Sequence, residues 1–125
     1  MGKRYLIDTN ILIYFLSGRY VSEILPVLEE SFHVSIITKI ELLGWNKHTD
    51  EGFLQTRSLI ENASIIPLTD AIAEKAILLK RQSTVKLADS IIAATCLTED
   101  FILVSRNEKE FTGITGLEFF NPIPV

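Results

Sequence analysis

Four oxygen-bearing side chains stand where a short chain could assemble a hydrolytic site: Asp8, Glu41, Asp89 and Asn107. The first three are carboxylates. Asp89 is the most demanding, because it lies in "TVKLADSIIAATCL" (Thr84 to Leu97), a segment otherwise made mostly of small and apolar residues. A carboxylate enters such surroundings cheaply only when something compensates its charge. Two unit charges about 4 Å apart repel by about 4 kcal/mol at an effective dielectric near 20. Carboxylates that face one another therefore protonate or move apart unless a cation sits among them. Magnesium and manganese favour oxygen ligands in octahedral geometry. Such a site commonly keeps waters that can be activated or used to orient a phosphate.

Each residue also has a local explanation. Asp8-Thr9-Asn10 can be a strand-to-helix cap. Thr38-Lys39-Ile40-Glu41 fits S/T-x-x-E, a capping box that needs no catalysis. Asp89 follows a possible N-cap, Thr84, and near a helix start it gains about 0.3–1 kcal/mol from the macrodipole. Asn107 can be an ordinary turn residue. These explanations work singly. They do not account for all four falling at one end of the predicted sheet.

That sheet is read from short β-branched and aromatic runs. Tyr5–Ile7, His33–Ile37, Ala63–Pro67, Phe101–Ser105 and Leu117–Phe120 are the predicted strands, and "NPIPV" reads as an irregular tail. Helical patterns fill the gaps: Asn10–Leu16, Val21–Glu30, Lys39–Lys47, Glu51–Asn62, Ala71–Gln82 and Lys86–Thr98. Thr69-Asp70 supplies a start signal for the fifth of these. Leu87, Ile91 and Ala94 supply a buried stripe on the last. Strands separated by helical crossovers predict a mostly parallel sheet with helices on both faces. Such sheets bind ligands beyond the carboxyl ends of their strands. Asp8, Glu41 and Asn107 follow strands there, and Asp89 can point to the same rim.

The 125 residues are the size of one domain, 1–125, and 47% are hydrophobic, enough for a core. One cysteine, Cys96, rules out an internal disulfide and a cysteine metal cluster. No apolar run approaches the roughly 20 residues of a membrane span. The stretch after Met1-Gly2-Lys3-Arg4 is too short for a signal peptide, so a cytoplasmic protein is expected. The net charge of −4 carries no basic footprint. It is compatible with acids gathered around a cation and bases on the rim.

Five ordered stretches resemble the PIN-domain ribonucleases, and most closely the VapC-type toxins of toxin–antitoxin pairs. They are "YLIDTNILIYFL", "TKIELLGW", "KLADSIIAATCL", "LVSRNEKEF" and "GITGLEFFNP". The resemblance implies a three-layer α/β/α sandwich with a five-stranded sheet and a Mg²⁺- or Mn²⁺-dependent endoribonuclease. By position, Asp8, Glu41 and Asp89 match the family's acidic triad. The fourth acidic position falls on Asn107, which brings no charge. Glu110 matches a position that is also often acidic, and a helical turn from Asn107 to Phe111 would put the two on one face. Thr9 and Ser105 match small hydroxyl positions of the pocket, and Asn10 an Asn that orients the loop.

In the mechanism this implies, Asp8 and Asp89 bind the metal directly, while Glu41 binds it through water or orients the attacking water. Attack on an RNA phosphodiester leaves a 5′-phosphate and a 3′-hydroxyl. Lys39, Lys86, Arg106 and Lys109 are candidate RNA contacts on the rim, and Lys80-Arg81 could extend the track. Arg106 sits beside the site in sequence, and its guanidinium can clamp a phosphate bidentately. His33 and His48 read as structural or surface residues. "NILIYFL" and "IELLGW" hold more large apolar residues than one buried face needs. Tyr14, Phe15, Leu43 and Trp45 are therefore candidates for a groove that takes a partner. The resemblance makes that partner the C-terminal segment of a VapB-type antitoxin, and implies homodimerisation through other helices.

Other readings fit part of the chain. A receiver-type phosphoacceptor also has an acidic magnesium pocket, but it wants adjacent acids after the first strand, an Asp after the third and a Lys after the last. Asp8 stands alone, Ile66-Pro67-Leu68 ends the third run, and Ser105-Arg106-Asn107 the fourth. A PIN fold used only for binding, and a housekeeping RNA-processing nuclease without an antitoxin, remain.

Overall fold

A computed structural model describes residues 2–124. Met1, the first residue of the segment too short for a signal peptide, and Val125, the end of the expected tail, lie outside the described residues. The expected β-runs pair into one five-stranded sheet, in the order β3-β2-β1-β4-β5, and every neighbouring pair is parallel. The strands are β1 (Tyr5–Ile7), β2 (His33–Ser35), β3 (Ser64–Ile66), β4 (Ile102–Val104) and β5 (Phe119–Phe120). Between them run α1 (Thr9–Leu16), α2 (Val21–Glu30), α3 (Ile36–Leu43), α4 (Asp50–Ile60), α5 (Asp70–Gln82), α6 (Leu87–Glu99) and α7 (Glu108–Phe111).

Parallel pairing demands cover on both faces, and the strands are apolar on both. Successive side chains point to opposite sides of a strand. Leu6 and Leu103 therefore join Ile72, Ala76, Leu79, Ile91 and Ile92 of α5 and α6 on one face. Tyr5, Ile7, Val34 and Val104 join Ile11, Leu12, Ile24 and Ile60 of α1, α2 and α4 on the other. Leu6, Ile7 and Val104 are fully buried, each contributing about 1.5–3 kcal/mol relative to exposure.

The chain runs outward from β1 through β2 to β3, then returns to place β4 on the other side of β1. The strand order thus reverses at β1, and the crevice beyond the carboxyl ends of β1 and β4 is where such a sheet takes a ligand.

Several expected boundaries move. The run read as a strand to Ile37 ends at Ser35, whose hydroxyl accepts the Ile37 N–H at 3.1 Å and caps α3. Ile36 and Ile37 are β-branched and read as strand, but the cap turns them into the first turn of a helix. Thr38 is then a buried residue inside α3 and not a cap, which removes the capping-box reading of Glu41. At α6 the N-cap is Lys86 and not Thr84. Leu87 is 65% exposed and drops out of the expected stripe, because the first residue of α6 lies beyond the core, while Ile91 and Ala94 are buried. The Thr69 hydroxyl caps α5 as expected, accepting the Ile72 N–H at 3.2 Å.

Candidate active site

Asp8 follows β1 directly and opens α1 as its N-cap, with Oδ1 accepting the Thr9 N–H at 2.8 Å. Its own N–H donates to the Val104 carbonyl at 2.8 Å, extending the β1–β4 ladder by one residue. Oδ2 accepts from the Ser105 hydroxyl at 2.7 Å and from the Asn10 amide at 3.3 Å. Ser105, fully buried after β4, uses all of its capacity: one proton to Asp8, two acceptances from Asn10 Nδ2 at 3.2 Å and the Asn107 N–H at 3.1 Å. Asn10 Oδ1 in turn accepts the Arg106 N–H at 3.3 Å. The end of β1 and the loop after β4 are thus laced together around one carboxylate. Burial raises the Asp8 pKa above its ordinary value, the Ser105 and Thr9 hydrogen bonds pull it back, and Glu41 adds a further upward push.

Glu41 arrives from α3 and is exposed. The Thr9 hydroxyl lies 2.6 Å from Glu41 Oε1 and 3.0 Å from the Thr38 hydroxyl. One hydroxyl proton cannot serve both. The shorter, charge-assisted bond takes it, and the Thr38 hydroxyl completes the chain. By sequence Thr38 fits a helix cap. Only its burial against Thr9 reveals it as part of the site.

Asp89 lies in the first turn of α6. Beyond it, Ser90 to Cys96 form a continuous buried run, with the Thr95 hydroxyl satisfied by the Ile91 carbonyl at 2.7 Å. Burial, then the negative charges of Asp8, Glu110 and Glu41, push the Asp89 pKa up to about 6, and only Lys86 opposes them. Those acids therefore act on Asp89 from three other parts of the chain. Among the described residues, however, no three His, Cys, Asp or Glu side chains stand in position to grip a metal ion together. The carboxylates are coupled through space without being closed on a common point. Asn107 and Glu110 are exposed, at the N-cap and within α7.

The expected rim bases divide. The charge of Lys86 opposes the upward push on Asp89. Arg106 is joined to the site through its backbone, and its Nη1 donates to the Tyr14 hydroxyl at 2.8 Å. That hydrogen bond is the main reason its pKa rises. Lys39 is two residues from Glu41 on α3, and residues two apart on a helix do not share a face. Lys109 is exposed between Glu108 and Glu110. His33 pairs with the Ser31 hydroxyl at 3.0 Å, and His48 Nε2 lies 2.7 Å from the Leu42 carbonyl, both structural contacts.

An apolar groove of about 490 Å³ opens beside the crevice. Its walls are Ile13, Leu16 and Ser17 of α1, Glu41 and Leu42 of α3 with Trp45 just beyond, His48, and Gly52, Gln55 and Thr56 of α4. The i, i+3, i+4 spacing in α1 and α4 identifies one face of each helix. Of the four residues expected in such a groove, only Trp45 lines it. Tyr14, Phe15 and Leu43 fall between the groove-facing positions, and Tyr14 and Phe15 pack against the core instead. Ile13 and Trp45 are 55% and 56% exposed.

Known proteins share this fold. A chain of a toxin–antitoxin complex from Klebsiella pneumoniae is 34% identical and superimposes with a TM-score of 0.80, over 97% of this chain and 99% of that one. A chain of DNA-bound VapBC from Salmonella typhimurium gives a TM-score of 0.83 at 20% identity, over 98% and 100%. One of VapBC-1 from nontypeable Haemophilus influenzae gives 0.78 at 24% identity, over 95% and 98%. Comparison with curated proteins gives no significant match. The family model described as "PIN domain" matches residues 5–116, from β1 through Gly116. That span carries the whole crevice, from Asp8 to Glu110, and the chain belongs to the PIN-domain family.

Proposed function

We propose that this chain is the toxin of a VapC-type toxin–antitoxin pair, a divalent-metal-dependent endoribonuclease formed by a single unit, residues 1–125, and acting in the cytoplasm. The observation that carries the reading is Asp89: a half-buried carboxylate at the head of a buried helix, whose pKa is raised first by burial and then by the negative charges of Asp8, Glu110 and Glu41. The donors fit a hard cation, because all are carboxylate, hydroxyl or amide oxygens. Asp8 and Asp89 would hold Mg²⁺ or Mn²⁺, with Glu41 acting through water. When bound, the cation offsets charge on the phosphodiester and makes water more acidic.

The protein's own part is orientation. Ser105, Asn10 and the Thr9 N–H fix Asp8 in one rotamer. The Thr9 hydroxyl holds one oxygen of Glu41 and leaves Oε2 to orient a water. Lys86 draws an RNA phosphate toward the acids, and Arg106 clamps it. The partner is a VapB-type antitoxin, supported by relatives that are toxin–antitoxin complexes. A largely apolar groove with an exposed Trp45 suits an amphipathic segment of that partner. A homodimer of the toxin completes the assembly.

The test is cleavage of purified RNA with Mg²⁺, with Mn²⁺ and with chelator. Activity should require the metal and vanish in Asp8→Asn and Asp89→Asn while both variants stay folded. Equal cleavage by wild type and both variants would assign the activity to a contaminant. The lack, among the described residues, of a closed ligand trio favours one other reading, a PIN fold that binds without cleaving. RNA left intact at every metal concentration would establish it.

A further inference from the structure

Arg106 belongs to a cluster that extends beyond the crevice. Its guanidinium lies 5.1 Å from the Tyr14 ring centre and 5.6 Å from that of Tyr20. Arg19, in the turn between α1 and α2, approaches the same two rings at 4.9 and 5.3 Å. The rings themselves meet edge-on at 5.4 Å. The side-chain hydrogen bonds of both arginines go to tyrosine hydroxyls, Arg106 to Tyr14 at 2.8 Å and Arg19 to Tyr20 at a long 3.5 Å. Tyr20 has φ of 56°, the left-handed region that a bulky side chain avoids. The turn is bent to bring Arg19 and Tyr20 to this place.

A fold staple would need one arginine. Two cations gathered on one pair of rings, whose side-chain hydrogen bonds go to tyrosine hydroxyls and not to carboxylates, can both pair with an anion. Asn10 ties the Arg106 backbone to Asp8, accepting the Arg106 N–H and donating to Asp8 Oδ2. Tyrosine faces attract guanidinium groups, and the Tyr14 hydroxyl restricts the freedom of Arg106, so less is lost when it binds.

We propose that Arg19 and Arg106, positioned by Tyr14 and Tyr20, form a two-arginine clamp for the backbone of single-stranded RNA flanking the scissile phosphate. The assignment rests on the ribonuclease reading for its substrate and extends it to Arg19, Tyr14 and Tyr20. The clamp reads phosphates and not bases, so it sets affinity and register without sequence preference.

The experiment is fluorescence anisotropy of a labelled single-stranded RNA against Asp8→Asn protein, which binds without cutting, over a range of salt. Adding Arg19→Ala or Arg106→Ala should weaken binding of unrelated sequences alike. Removing one arginine–phosphate pairing should lower the slope of log K against log salt by about 0.7. Tyr14→Phe keeps the ring and loses the hydroxyl; it should weaken RNA binding several-fold at an unchanged melting temperature. In the cleaving protein it should raise KM more than it lowers kcat. Arg57→Ala, which removes an exposed arginine stacked on Phe53 at 5.4 Å, serves as control and should change nothing. Unchanged affinity and slope in Arg19→Ala would overturn the clamp while cleavage by the wild type kept the nuclease reading intact. RNA binding that needs both arginines in a protein that never cleaves would keep the clamp and remove the nuclease. Absence of both binding and cleavage would remove both.

Discussion

The crevice and the groove share Glu41 and little else. The crevice is polar, assembled from β1, α3, α6 and the loop after β4, and each of its buried polar side chains among the described residues is hydrogen-bonded. Its instability is the cost of charge on Asp89, raised first by burial and then by the negative charges of Asp8, Glu110 and Glu41. The groove is apolar, assembled from one face each of α1, α3 and α4, and its instability is exposure of Ile13 and Trp45 to water. One region asks for a cation and the other for an apolar surface. Glu41 lines the groove and also adds its charge to the acid cluster around Asp89.

The sharpest way to separate the two regions is to disable each alone. Asp8→Asn or Asp89→Asn should reduce RNA cleavage by at least about 100-fold, the lower range for removal of one group that stabilises developing charge. The groove should be unaffected, so antitoxin binding measured by calorimetry should hold. Trp45→Ala should do the reverse. An exposed surface residue costs within about 0.5 kcal/mol of stability, whereas an aromatic anchor in an interface is worth about 2 kcal/mol or more, roughly 30-fold in partner affinity. Loss of cleavage in Trp45→Ala with unchanged antitoxin affinity would merge the two regions into one.

Ser105→Ala probes the next level down. It strips a donor from Asp8 Oδ2 and an acceptor from the Asn107 N–H, and leaves the Asn10 amide with its bond to Asp8 alone. Removing a donor from the buried Asp8 carboxylate costs about 1–3 kcal/mol, readable as a lower denaturation midpoint. Thr9→Val removes a bond to the exposed Glu41, which water can replace, so its stability loss should be smaller and its cost should fall on cleavage.

The two regions were unequally legible in the sequence. The acids of the crevice stand out by type and place: Asp8 directly follows the first strand, and Glu41 and Asp89 are carboxylates set in otherwise mostly apolar helical stretches. The groove depends on helical phase. Tyr14, Phe15 and Leu43 are as apolar as Ile13, Leu16 and Leu42, and only packing decides which face turns outward. Ile36 and Ile37 misled for a related reason: β-branched residues favour strands, yet a hydroxyl at Ser35 and the crossing of α3 over the sheet override that preference. The Tyr14–Arg106 bond joins residues 92 positions apart. No local pattern encodes such a pair, so the arginine cluster emerges only once the fold is closed.

The smallest effect is on stability against pH, and it tests whether the crevice is strained without its cation. The Asp89 pKa is raised from 3.8 to about 6. A group that binds its proton more tightly when folded makes the folded state lose stability as pH rises between those values. The metal-free protein should therefore melt at a higher temperature near pH 5 than near pH 7 from this contribution, and Asp8 acts in the same sense. Asp89 is only half-buried, so solvent screening keeps the effect modest. Asp89→Asn should flatten that part of the profile and raise the melting temperature at pH 7. Added Mg²⁺ should also stabilise, with the opposite pH dependence: its stabilisation, which grows with occupancy, should strengthen as pH rises through 6 and the proton no longer competes for the same carboxylate. A profile identical in wild type and Asp89→Asn, with and without Mg²⁺, would mean that the acids at the mouth of β1 and β4 do not feel one another, and the crevice would lose its claim to a cation.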